Sequence, residues 1–285
     1  MSMSFLPSLR FKSKASIDQA KLPEREPRKG STTSSNQRRQ HQKADLYVHG
    51  NSMPTSDLPT SANFSSAHLT LGGGVAIFHL ASARVVLCYH SKDRYHFLPK
   101  GRKDVNEAPT RGAEREGYEE SGYRNRLLPI PLPHRQPQPH HDEPSVDHSY
   151  ATEAIWVQLA PVTRSAQYLL FWYVAETIPP SMEVELNTRA TKSGGLYESP
   201  PLFERGLTIK QRIEMEQIDY EPVRHENTGV DEDEALYLSS LVPIDEAISK
   251  LDPRSISADV VRKGWQAILK RREKEESLEN GTPSI

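Results

Sequence analysis

Sulfur is scarce in this chain. Among 285 residues there is one cysteine, Cys88, which excludes an intrachain disulfide and a zinc site built on thiolates. Cys88 lies in the apolar run Val85-Val86-Leu87-Cys88-Tyr89, where an inert buried thiol is expected rather than a nucleophile. Apolar residues are also few: they make up 35%, and the mean hydropathy is -0.67. With 22 prolines besides, much of the chain cannot be core. No apolar stretch reaches transmembrane length and no secretory signal is legible at the start, so a soluble intracellular protein is expected, cytoplasmic or nuclear. The net charge of -2 argues against a chain that binds nucleic acid or a membrane surface along its whole length.

Residues 1–66 are rich in Ser, Gln, Lys, Arg and Pro and are expected to be a disordered basic tail, since they hold too little apolar surface to offset the entropy of ordering. Arg10, Lys12 and Lys14 precede the first acidic residue, Asp18, a faint likeness to a mitochondrial presequence that a plain basic tail explains better. One folded domain is expected over 67–276, with a frayed end at 277–285. Gly72-Gly73-Gly74 before Val75-Ala76-Ile77-Phe78 reads as a close backbone approach leading into a buried strand, and Arg84 to Tyr89 as its hairpin partner. Tyr95 to Leu98, Ala154 to Val157, Tyr168 to Val174 and Glu234 to Leu238 read as further strands. Ile244 to Leu251 reads as a short helix opened by Pro243. Ser257 is the expected cap of a longer helix with Val260, Val261, Trp265, Ile268 and Leu269 facing the core and a solvated end at Lys270 to Glu276.

Two inserts interrupt this order. In 129–150, prolines separate His134, His140 and His141, which leaves the histidines without a rigid scaffold for a metal. The stretch 179–233 is expected to be a long loop holding one charged helical piece, Leu207 to Ile218.

The chemistry is concentrated between Phe97 and Tyr123. Glu116, Glu119 and Glu120 stand at i, i+3 and i+4, which share one helix face. Like charges at that spacing repel, so the face needs either solvent or a hard cation such as Mg²⁺ among the carboxylates. Gly122 is placed to end the helix. Lys100, Arg102 and Lys103 put three cations just ahead of the acidic face, an arrangement that suits a polyphosphate.

Gly101, Glu107 and the run Arg115-Glu116-x-x-Glu119-Glu120-x-Gly122-Tyr123 resemble the signature of the Nudix hydrolases. The resemblance implies an α/β fold, a Nudix-like α/β/α sandwich with a mixed β-sheet. It further implies Mg²⁺-dependent (or Mn²⁺-dependent) hydrolysis of a pyrophosphate bond in a small phosphorylated substrate, nucleoside-diphosphate-linked or a polyphosphate. On the matching positions, Glu116, Glu119 and Glu120 would hold the metal, with a backbone carbonyl of the Lys100-Gly101 turn as a further ligand. Glu119, Glu120 and Arg115 would carry catalysis, Arg115 by orienting a glutamate, while Glu107 braces the loop.

In this family the base comes from the helix or from a later loop, where Glu214, Glu216, Glu232, Asp233 and Glu234 are undistinguished. Pro99-Lys100-Gly101 is similar to the turn of family members that cleave dinucleoside polyphosphates. Lys100, Arg102 and Lys103 would equally suit a diphosphoinositol polyphosphate, and Tyr95, Trp156 or Tyr197 could stack on a base.

One position departs from the pattern. Gly117 stands where the family has an aliphatic residue, and it leaves a core position empty unless Tyr118 or a neighbouring strand residue fills it. With the large inserts, this keeps open a second reading, a weakly catalytic Nudix-fold module that binds a phosphorylated ligand or protein partner.

Overall fold

The computed structural model describes residues 61–137, 149–163, 166–192 and 197–281. The expectations for residues 1–60, for His140 and His141, and for Ser193 to Gly195 lie outside the described residues.

The described strands form one mixed sheet: β1 (Leu69–His79), β2 (Arg84–His90), β3 (Tyr95–Phe97), β4 (Lys100–Arg102), β5 (Asn125–Leu127), β6 (Trp156–Pro161), β7 (Gln167–Thr177) and β8 (Tyr237–Pro243). The described helices are α1 (Pro109–Ser121), α2 (Pro180–Lys192), α3 (Ile209–Glu214), α4 (Ile244–Lys250) and α5 (Ile256–Glu279). The sheet is built on β1 and β7, which run parallel from Leu69 opposite Gln167 to Phe78 opposite Glu176. The other strand pairs are antiparallel.

Alternation along β1 feeds two cores. Val75 and Ile77 pack with Val86, Ala113, Tyr173 and Leu241 on the α1 side. Ala76 and Phe78 pack with Trp172, Val260, Val261 and Ile268 on the α5 side. A strand buried on both faces has no polar side to show, and the unbroken apolar runs of β1 and β7 follow from that. Helices on both faces make an α/β/α sandwich.

β1 and β2 are a hairpin only at their turn, where Phe78 pairs with Val85 and His79 with Arg84. Beyond it they part, and the segment from β3 to β4 crosses the gap. β3 pairs with β2, Pro99 O accepts Val75 N at 3.0 Å, and β4 pairs with β1 at Gly72, Gly73 and Gly74. The triple glycine admits this crowding. A Cβ at Gly73 would stand 2.7 Å from Ala113 of α1, and one at Gly74 would stand 2.6 Å from the Trp172 ring.

Several elements differ from the expectations. β6 starts at Trp156, two residues later than Ala154. Glu234–Leu236 is a 3₁₀ turn and the strand begins at Tyr237. The long helix is capped by Ser255, whose hydroxyl accepts Ala258 N at 3.1 Å; Ser257 is buried inside the helix. Trp265 packs in the core, stacked 5.8 Å from Phe78, whereas Leu269 is 40% exposed.

The end of α5 is not a solvated run, because Arg271 and Glu275 are buried. Arg271 donates to Pro129 O at 2.6 Å and to Leu207 O at 2.7 Å, and Glu275 accepts Ile209 N. Among its described residues the stretch 179–233 holds two helices, not one. α3 begins in a full capping box between Thr208 and Gln211. α2 buries Leu186 and Glu183, and a buried glutamate on a polar helix looks like surface in a sequence.

Candidate active site

Helix α1 starts at Pro109, whose missing N–H costs nothing in the first turn, and ends on Gly122 at φ 75°. It lies close to the sheet because small residues face it. The space at Gly117 is filled by residues of neighbouring strands rather than by Tyr118: a Cβ there would be 2.6 Å from Asn125 Nδ2 and 2.8 Å from Val75 Cγ1. Asn125 Nδ2 donates to Glu114 O at 3.0 Å, and the Glu114 carboxylate accepts Leu127 N at 2.9 Å. The helix is thus fastened to β5 by polar contacts where an aliphatic side chain would otherwise pack.

Arg115 is the hub of the motif. Nε and Nη2 grip the two oxygens of Glu107 at 3.0 Å each, Nη1 donates to Glu116 at 3.0 Å and Glu119 at 2.6 Å, and Nη2 also reaches Arg102 O at 2.9 Å. Glu107 in turn accepts Asp104 N at 2.8 Å. The loop is therefore braced through Glu107. Burial alone would raise the Glu107 carboxyl, but the guanidinium and the Asp104 N–H hold it below its ordinary value.

The remaining carboxylates converge. Glu116 and Glu120 from α1 and Glu234 from the 3₁₀ turn each bring an oxygen within 4.8 Å of the others. Glu120 accepts Lys100 N at 2.7 Å. Glu116 lies against Gly101, where any Cβ would collide with its carboxylate. Glu119 is not in this group; like Glu116 it is bonded to Arg115 Nη1.

Burial pushes Glu116 up to about 7 against the pull of Arg115, with Glu119 and Glu234 adding to the rise. Burial also raises Glu119 and Glu234, and raises Glu120 most strongly, where Lys100 opposes it and Glu116 adds to it. Carboxylates packed this closely with one cationic hub invite a hard divalent cation, whose ligands are oxygens. The donor set and the glycine cradle fit Mg²⁺ or Mn²⁺.

The proposed phosphate contacts separate. Arg102 exposes its side chain, Lys103 Nζ donates to its neighbour Asp104 O at 2.9 Å, and Lys100 is buried. Tyr168, which the sequence did not single out, donates its hydroxyl to Gly101 O at 2.9 Å, so the turn carbonyl already carries one hydrogen bond.

Of the stacking candidates, Tyr95 lies parallel to His90 at 5.4 Å. Trp156 is tied to Asp259, and Tyr197 packs on Tyr118. Among the late-loop carboxylates only Glu234 reaches the site; Glu216 is committed to Arg212 and His79. No signal in the sequence separates Glu234 from its neighbours. His134 is exposed and accepts Gln136 N.

Neither a family model nor a curated protein matches the chain. Solved structures similar to it include a C. elegans Ap4A hydrolase in a binary complex, 14% identical over 70% of this chain and 98% of that one, with a TM-score of 0.35. A NUDIX hydrolase from Nitrosomonas europaea is 12% identical over 70% and 88%, with a TM-score of 0.34. A UDP-X diphosphatase is 13% identical over 85% and 86%, with a TM-score of 0.35. Overlaps of this size carry no argument about chemistry, which rests on the motif and its geometry. The layers make the architecture an α/β/α sandwich with a mixed sheet, and the motif lies on the β4 turn and α1.

Proposed function

We propose that the chain is a Nudix-type hydrolase that cleaves a pyrophosphate bond with the help of Mg²⁺ or Mn²⁺. The observation that carries this reading is the convergence of Glu116, Glu120 and Glu234 within 4.8 Å beside an arginine that binds three glutamates. Glu116, Glu120 and Glu234 would hold the cation. When bound, it would neutralise phosphate oxygens and lower the pKa of water.

The chain's own groups do the rest. Arg115 fixes Glu116 and Glu119 by charge-assisted bonds and ties them to Glu107, so the acidic face is organised before substrate arrives. Glu119 keeps one oxygen off Arg115, and with its raised pKa that oxygen is suited to take the proton of the attacking water. Arg102 and Lys103 at the loop would bind the charged chain of the substrate, which favours a dinucleoside polyphosphate or a diphosphoinositol polyphosphate. The buried Lys100 contributes through its backbone N–H on Glu120 and offsets the cluster's negative charge.

The test is product analysis after the purified chain is incubated in ¹⁸O-labelled water with a panel of pyrophosphates, with Mg²⁺ and with EDTA. Cleavage dependent on the cation, with label in one phosphate product, is expected. Tight binding of a panel member without turnover would favour the binding-module reading.

A further inference from the structure

Glu234 enters the acidic cluster from a loop, and the residues that hold that loop lie outside the motif. A helix leaves its last carbonyls without partners inside itself. In α1 these groups serve as the anchor of the loop. Thr228 Oγ1 donates to Glu119 O at 2.8 Å, His225 N donates to Gly122 O at 2.8 Å, and Tyr123 bridges to Arg224. Ser239 at the start of β8 donates its hydroxyl to Ser121 O. The loop is thus bound to the backbone of the helix that carries Glu116 and Glu120.

Between Thr228 and Glu234 the chain closes on itself. Glu234 Oε2 accepts Val230 N at 2.6 Å, and Asp231 Oδ1 accepts the N–H groups of Asp233 and Glu234 at 2.9 Å. Gly229 lies against Glu234, where a Cβ would stand 2.8 Å from the Glu234 Cβ. The turn is a small unit closed by its own hydrogen bonds. Its nearest side-chain attachment to α1 on the N-terminal side is the Thr228 hydroxyl, which meets the peptide carbonyl of Glu119.

We infer that Thr228 is a positioning residue that sets Glu234 against Glu116 and Glu120, so that affinity for the divalent cation depends on a hydroxyl that touches no carboxylate. The inference rests on Glu234 being part of the cation site. It fits the general behaviour of groups that orient metal ligands, whose loss typically weakens metal affinity or activity by about 10- to 100-fold.

The experiment measures Mn²⁺ binding to the full chain by calorimetry without substrate, alongside kcat and melting temperature in EDTA. Thr228→Val keeps the shape and removes the donor. It is expected to weaken Mn²⁺ binding by about tenfold and to lower kcat at limiting Mn²⁺, while Thr228→Ser restores both to within about twofold. Placed on Glu234→Gln, Thr228→Val should add nothing, because it acts through Glu234.

If Thr228→Val does not yield folded protein, Thr228→Ala carries the same measurements. Wild-type Mn²⁺ affinity in the Val or Ala variant, with Glu234→Gln weakened, overturns the role of Thr228 and leaves the cation site standing. Wild-type affinity in Glu234→Gln overturns the assignment of Glu234, and the role of Thr228 with it.

Discussion

Asn125 stands in the space that Gly117 opens in the face of α1, its amide nitrogen 2.6 Å from where a Cβ would be. The two residues are complementary, since a larger side chain at 117 would displace an amide that is itself bonded to Glu114 O. Gly117→Ala would gain about 1 kcal/mol of helix propensity. Overpacking against Asn125 and Val75 costs about 1–3 kcal/mol. The expected net effect is a lower melting temperature, and a higher one would mean that Asn125 yields freely.

Stability of the cation-free chain should fall as pH rises. Glu116, Glu119, Glu120 and Glu234 are all raised in the fold, so above the ordinary carboxylate value of about 4.3 the folded chain holds more protons than the unfolded one. The penalty grows through the value of about 7 that Glu116 reaches. Mg²⁺ or Mn²⁺ needs these groups ionised, so the rise in melting temperature on adding the cation should be larger at pH 8 than at pH 5. An equal rise at both would show that these carboxylates do not bind the ion.

Activity and stability should move in opposite directions in Glu116→Gln and Glu120→Gln. Each removes a negative charge from a buried group, which should leave melting in EDTA at pH 8 unchanged or higher. Hydrolysis should fall by about 10²- to 10³-fold, the range for a lost electrostatic contact to the transition state. Retention of wild-type rates in both variants would take the acidic cluster out of the chemistry.

Arg115→Lys is expected to behave as a severe change. One ammonium cannot reproduce the two-pronged grip on Glu107 together with the bonds to Glu116, Glu119 and Arg102 O, and lysine lacks the planar fork. Both the rate and the melting temperature should drop. A variant with a normal melting temperature and an unchanged metal response would limit Arg115 to a surface role.

At the far end of α5, Arg271→Met should destabilise the fold by about 3–5 kcal/mol, the usual effect of leaving a buried partner charge uncompensated. Glu275 would lose its 2.6 Å partner, and Pro129 O and Leu207 O would lose their donor. Thermal unfolding measures this directly. A shift of a degree or less would place that end of the helix in solvent.

The parts legible in the sequence were those fixed by neighbours along the chain. The spacing of Glu116, Glu119 and Glu120, the end of the helix at Gly122 and the apolar runs of β1 and β7 all follow from local periodicity. What escaped depends on contacts between distant segments. Asn125 fills a space on another element, and Glu234 looks like any residue of an acidic loop until the 3₁₀ turn brings it to α1. Arg271 and Glu275 read as a charged helix end because their partners are backbone groups of remote loops. Helix α2 was hidden for a related reason, its buried Glu183 being matched to Arg124 and His225.

The crossing of the β3 to β4 segment between β1 and β2 makes the charge of the site a matter of parity. In the observed register Gly101 lies opposite Gly73 and faces α1, while Lys100 and Arg102 lie opposite Gly74 and Gly72. A slip of one residue would reverse every side chain on β4. Glycine would then leave the carboxylates, and a lysine or an arginine would stand in the place where Glu116 now rests. The same chain, paired one step out, would bury a fixed cation under its acidic helix and shut out a divalent ion by occupying its place.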